Sequence, residues 1–446
     1  MPSHPQYDVA IVGASIAGCA AAIFFGRAGA RVALIERDRD PAGYKRLCTH
    51  YIQASATPTL ERLGLATAIE EAGGMRNDAE VFTRWGWIVA PSEQTIRRPA
   101  YGYSIRRSTL DPMLRKTAAQ TGGVEFLPGF SARELLIKQG RICGVSAQGE
   151  GDAKLDIEAK LVVGADGRNS RVAELADMPA KETANGRIFY FAHYCNLPLA
   201  SGTRSQLWFL EPDVAYTFPN DDGVTLVAAM PARGQAAEWK PDPEAAMTRL
   251  FERLPRAPSL SQAQRVTPFV GMIDYPNLQR SVSKSGLALI GDAALSIDPL
   301  WGIGCGWALQ SAEWLAGAVG RAWTSPTDLD RGLSAYAKRH RSELAGHQFL
   351  IEDFSTGRPF NFLERLTFSA AARDPICADT FSAFGSRCIG VRRFLRPDAL
   401  ARAMWVNARH ALSAAKMQQG ARCSRDSLQT CKDCGSAPMA RVKQRI

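Results

Sequence analysis

The chain has 446 residues, 46% hydrophobic and 22% charged, which excludes wholesale disorder and leaves room for more than one domain. Lys and Arg number 54 against 44 Asp and Glu, a formal +10. That excess is scattered rather than gathered on one run, which argues against nucleic acid and suits anionic small ligands such as dinucleotide phosphates.

Residues 9–25 are uncharged and mostly apolar. The run imitates a signal peptide or a span, but no Lys or Arg precedes it and it is short for a bilayer. It also holds Gly13, Ser15 and Gly18 at a regular spacing. The expected structure is a buried strand over 7–12, a tight turn, a helix over 16–28 and a second strand over 31–36, the opening of a βαβ unit. A helix over 56–65 follows, then extended segments at 81–89 and 101–105 and a helix over 108–120 near Asp111-Pro112. Strands are expected at 124–127, 142–146 and 161–163.

From 176 to 283 the pattern changes to aromatic and β-branched runs separated by turns, at 187–194, 206–210 and 224–228, with one helix at 243–254. This predicts a mostly antiparallel sheet inserted into the first domain. After 286 the nucleotide-domain pattern returns with a strand at 287–290 and a helix from about 303. The expected fold is α/β: a Rossmann-like domain (1–175 and 284–325), an inserted sheet domain (176–283), a helical C-terminal region (326–418) and a mobile basic tail (419–446). Ten cysteines form no disulfide framework and suit a reducing, cytoplasmic setting. Cys431-x-x-Cys434 with Cys423 and His410 is a single CxxC in a basic tail, so no metal site is expected.

Three junctions carry chemistry. GASIAG at 13–18 lies between a strand and a helix, and Glu36 follows 23 residues after Gly13. The helix start can receive a pyrophosphate and Glu36 a ribose hydroxyl. LVVGADGRNSRV at 161–172 runs a strand into Asp166. LALIGDAALSIDPLWGIGCGWALQ at 287–310 delivers Gly291-Asp292 and a loop with Pro299, Gly302, Ile303 and Gly304. Backbone N–H groups at that helix start favour negative charge on a ligand.

In this order the motifs resemble the FAD-dependent monooxygenase superfamily, whose members include 4-hydroxybenzoate hydroxylase, and its neighbours the flavin halogenases and geranylgeranyl reductases. The resemblance implies FAD held by Gly13, Ser15, Gly18, Glu36 and Arg37 at the adenosine end. It implies further contacts from Arg107, Asp166, Gly291 and Asp292, and from the 299–304 loop at the flavin. It also implies NADPH or NADH as electron donor, directly or through a separate flavin reductase. Oxygen would pass from a flavin C4a-hydroperoxide to a hydrophobic small molecule, aromatic or polyketide, hydroxylating or epoxidising it.

Halogenases carry a reactive lysine and a Trp-x-Trp-x-Ile-Pro segment. This chain has no Lys between Lys45 and Lys116, and VAYTFP at 214–219 stands where the tryptophans belong, so halogenation is not expected. KRLCTHYIQ at 45–53 resembles the reductase stretch, without its glycine after Cys48. Arg46 could reach the flavin or a phosphate. His50 and Cys48 are candidate catalytic groups, with a structural histidine bonding backbone as the competing reading for His50. Phe189, Phe191, Trp208, Tyr216, Phe218 and Trp301 are candidate pocket walls, and equally candidate core. A reductase, or a protein using FAD structurally as a cyclase scaffold, remains the alternative.

Overall fold

The computed structural model describes residues 6–91 and 101–433. Two apolar runs, Gln6–Val12 and Val32–Glu36, lie side by side in parallel, with Val9 opposite Val32 and Val12 opposite Ile35. Each run is nearly continuous in Val, Ile, Leu and Ala because both faces of a parallel sheet are covered. Lys154–Gly164, Leu287–Leu289 and Val124–Pro128 complete a parallel core ordered 287, 154, 6, 32, 124 by first residue. The Ile16–Arg27 helix is rich in alanine, and that small surface lets it pack closely against the Gly304–Val319 helix.

The antiparallel pair Ser131–Lys138 and Arg141–Gln148 extends Lys154–Gly164. The sequence reading found only part of the second of these strands.

The second sheet runs Gln264–Arg265, Phe189–Cys195, Thr225–Met230, Val214–Pro219, Ser205–Phe209, Ala79–Thr83, Gly86–Ile88. Its last two strands come from the segment expected to belong wholly to the first domain. Ala79–Thr83 pairs in parallel with Ser205–Phe209, so the sheet begins well before 176. A strand's partner is set by long-range packing, which local pattern does not encode.

Alternation along these strands sends side chains two ways. Tyr190, Tyr194 and Trp208 pack toward the Pro243–Phe251 helix. Phe189, Phe191 and Phe209 pack toward Phe354, Phe360, Phe368 and Phe381 of the C-terminal helices. Those helices begin at strong caps: Ser325 before Pro326–Ser355, Asn361 in a capping box before Phe362–Ala371, and Asp374 before Pro375–Gly385.

The last helix, Pro397–Asp433, runs on past 419 into the segment expected as a mobile basic tail. Ala, Gln, Arg and Lys are good helix formers whatever they pack against. Residues 434–446, including Cys434, lie outside the described residues. Among the described residues no helix is long and apolar enough to cross a membrane, and no cluster of His, Cys, Asp and Glu is arranged to hold a metal ion.

Candidate active site

Backbone crowding explains the first glycines. Gly13 has φ +102°, and a Cβ there would stand 2.5 Å from the Ala165 carbonyl oxygen. A Cβ on Gly18 would stand 1.7 Å from the Gly13 carbonyl oxygen. Glu36 closes the turn: its Oε2 accepts from the Ala14 N–H at 2.7 Å and its Oε1 from the Asp38 N–H at 3.0 Å. Each oxygen keeps a lone pair for a ligand hydroxyl.

The Arg107–Ala119 helix then clamps that turn. Arg107, Asp111 and Arg115 recur every four residues and so share one face. Arg107 donates to Ser15 Oγ at 2.6 Å and to Asp111 Oδ1 at 2.7 Å. Arg115 donates to the carbonyls of Ala14 at 3.1 Å and Pro41 at 2.7 Å, and to that of Gly43. Asp111 accepts from the Lys45 N–H at 3.0 Å. Arg115 and Lys45 were not assigned a role from sequence. The four-residue spacing of three charged residues on a helix that must cover a sheet was the signal that could have found Arg115.

These elements enclose a cavity of about 790 Å³. Its wall holds Gly13, Ser15, Glu36 and Arg37 from the first turn, and Arg107, Asp166 and Asp292 from later ones. Pro299, Gly302, Ile303 and Gly304 line it from the third motif, and Cys48 from the loop before Tyr51–Ile52. Asp166 also caps the next helix, accepting from Ser170 Oγ at 2.6 Å and the Val172 N–H at 3.0 Å; burial nonetheless raises its pKa. Asp292 is ion-paired with Lys45. Burial works against the Lys45 charge, and Asp292 more than offsets it.

Four expected residues lie off this wall. Gly18 and Gly291 act behind it in packing. A Cβ on Gly291 would stand 2.9 Å from Ala17 Cβ, and its N–H donates to Ser311 Oγ at 3.0 Å. Arg46 is exposed and does not border the cavity. His50 is buried with φ +61°, and its Nδ1 accepts from the Arg107 N–H at 2.9 Å. Burial first, then the His193 ring 4.9 Å away, hold it well below its usual pKa. Its Nδ1 is thus taken up by backbone, and the residue does not border the cavity.

Cys48 Sγ lies 3.5 Å from Cys305 Sγ, and both thiols border the cavity. The Cys305 thiol facing it, with Arg107 and Lys45 nearby, lowers the Cys48 pKa, while Cys305 is raised.

The Pro299–Gly304 loop has a second side. Ile303 also borders a smaller cavity of about 70 Å³, walled by Trp301, Phe209, Phe354, Phe360 and Phe384. Of the wall candidates read from sequence, Phe189 lines the large cavity and Trp301 the small one. Trp208 faces the opposite side of the sheet and donates to the Pro255 carbonyl at 3.0 Å. Phe191, Tyr216 and Phe218 are core.

The large cavity fits FAD in size and in donor chemistry: an acceptor for a ribose hydroxyl at Glu36, a helix start, and the cations Arg37, Lys45, Arg133 and Arg168. Residues 6–341 match the model of the FAD binding domain family. The chain belongs to this family. It is an FAD-dependent oxidoreductase of the monooxygenase superfamily that its motifs resemble. Digeranylgeranylglycerophospholipid reductase 1 of Methanopyrus kandleri is 28% identical over 70% of this chain and 80% of its own. The 6-methylpretetramide 4-monooxygenase of Streptomyces rimosus is 28% identical over 77% of this chain and 84% of its own. A solved flavin-dependent brominase shares the fold, with TM-score 0.74, 18% identity, and coverage of 93% of this chain and 100% of that one.

Proposed function

We propose that the protein is an FAD-dependent monooxygenase that hydroxylates or epoxidises a compact aromatic or other ring-bearing small molecule. The observation that carries this reading is the small aromatic cavity on the far side of the Pro299–Gly304 loop. A wall of seven Phe and Trp rings suits a flat apolar ring better than a long flexible chain. FAD, when bound, supplies two-electron redox chemistry and the reaction with oxygen.

The chain's own residues do the rest. Glu36 and Ser15 hold the adenosine end, and Arg107 fixes Ser15 in place. Backbone N–H groups at Ile303 and Gly304 offer positive dipole to the flavin's electron-rich edge. Trp301, Phe209 and Phe354 position the ring and exclude water, so that a reactive oxygen species would be spent on substrate. No general base is required of His50. NADPH or NADH would provide electrons, directly or through a separate flavin reductase, and the free thiols of the described cysteines suit a reducing cytoplasm.

Reduction of the geranylgeranyl type is the second reading. It is favoured by Cys48 at the cavity wall and by the reductase relatives. Anaerobic stopped-flow reduction by NADPH or NADH, followed by an oxygen pulse with aromatic substrates, separates the two. Oxygen-dependent product is expected. A product formed without oxygen, by loss of a double bond, would favour the reductase.

A further inference from the structure

Two thiols meet at the wall of the large cavity. Cys48 stands on the loop before Tyr51–Ile52, and Cys305 is the second residue of the Gly304–Val319 helix. Their sulfurs are 3.5 Å apart, although 257 residues separate them in the chain. A disulfide needs about 2 Å, so a short approach separates this pair from a bond.

Their surroundings are unlike those of a structural cysteine. Cys19, inside the Ile16–Arg27 helix, is fully buried, and burial pushes its thiol far up, which makes it an inert small hydrophobe. Cys48 is half-buried and borders the cavity. The His50 N–H donates to its sulfur at 3.3 Å, Arg107 and Lys45 bring positive charge, and the helix start at Gly304 adds its dipole. The facing Cys305 thiol is the first of the influences that hold Cys48 down, and the same contact, then burial, pushes Cys305 up. One sulfur is thus the thiolate and its neighbour keeps its proton. That is the division of labour between an attacking and a resolving cysteine.

Neither sulfur takes part in oxygen transfer to a ring. Hydrogen peroxide is the by-product whenever oxygen is reduced by two electrons and no substrate takes it up.

We propose that Cys48 and Cys305 form a peroxide-reducing dithiol site. The Cys48 thiolate attacks one peroxide oxygen, the O–O bond breaks, and the leaving hydroxide takes a proton from solvent and departs as water. Cys48 is left as a sulfenic acid. The Cys305 sulfur then attacks the Cys48 sulfur, the S–O bond breaks, and hydroxide leaves with the Cys305 proton as a second water. The two sulfurs give up two electrons in all, and peroxide becomes two waters. A small dithiol reopens the disulfide by exchange. The step needs no aromatic substrate, so it stands under either reading of the function.

The test treats the FAD-loaded chain, its thiols fully reduced, with hydrogen peroxide at neutral pH. Free thiols are then blocked with iodoacetamide and the peptides mapped by mass. A linked Cys48–Cys305 peptide is expected, lighter by two hydrogens, and dithiothreitol should reverse it. Cys143 is also half-buried, but burial pushes its thiol up. It should be oxidised at least about ten-fold more slowly than Cys48, the ratio of thiolate fractions at neutral pH. Cys305→Ser should halt the reaction at a Cys48 sulfenic acid that dimedone captures, and Cys48→Ser should leave Cys305 unmodified. A native chain in which peroxide forms no Cys48–Cys305 link would overturn the proposal, and so would Cys143 oxidised as fast as Cys48. Both of these readouts come from the native chain, so a variant that fails to fold leaves the test intact.

Discussion

The two cavities share the Pro299–Gly304 loop and differ in how their polar groups are treated. Around the large one, Glu36, Arg107, Asp111, Arg115, Asp166 and Asp292 all have protein partners. Around the small one, Arg387 and His347 carry unpartnered atoms in an aromatic wall. The first is a preorganised frame that offers backbone and spare lone pairs to a cofactor. The second leaves cost for a ligand to relieve. Loss of a single wall contact should therefore weaken FAD without abolishing its binding, while substrate choice should hinge on few groups.

Substitutions break this comparison in graded steps. Gly18→Ala puts a Cβ 1.7 Å from the Gly13 carbonyl oxygen. It should cost more than about 4 kcal/mol by chemical denaturation, because backbone must move. A cost under about 1 kcal/mol would mean the turn is loose.

Acid should act on both regions together. His193, His340 and His347 are each lowered to about 4, with burial the leading cause. In the unfolded chain they bind protons near pH 6.5, so folding loses stability as pH falls from there toward 4. Each contributes on the order of 3 kcal/mol to that loss. Melting curves across this range should show one transition moving down. A C-terminal transition separating from the rest would make the small cavity's walls an independent unit.

Gly304→Val tests the shared loop. A Cβ at 304 meets nothing within 4 Å, so the protein itself should tolerate the side chain. Bound FAD should not: the reduction potential should fall, by at most about 3 kcal/mol of lost anion stabilisation, with melting nearly unchanged. An unchanged potential would reduce the loop to a helix cap. Glu36→Ala should weaken FAD by about 2 kcal/mol, the worth of a bond to a charged group, in a fluorescence titration. Unaltered affinity would mean the carboxylate only closes the turn through Ala14.

The large cavity was legible in the sequence because its parts are local. Gly13, Gly18 and Glu36 act within one βαβ unit, and the third motif is a continuous run. Both readings of His50 stayed open in the sequence because nothing in a linear chain shows that its Nδ1 faces the Arg107 N–H. Of the small cavity only Trp301 was legible as a wall. Its walls come from Phe209, Trp301, His347, Phe360 and Arg387, which only tertiary packing brings together, and Arg387 reads in sequence as one more arginine in a helical region. The strands at 79–88 were placed in the wrong layer for the same reason: pairing with Ser205–Phe209 is a long-range choice.

The most direct test of the central claim is isotopic. The FAD-loaded protein, reduced by NADPH or by a flavin reductase, is given a hydroxybenzoate under labelled oxygen, and the product is weighed. One labelled oxygen atom in the organic product is the expected result. A product that gains two hydrogens and no label, or unchanged substrate with all electrons recovered as hydrogen peroxide, would contradict it.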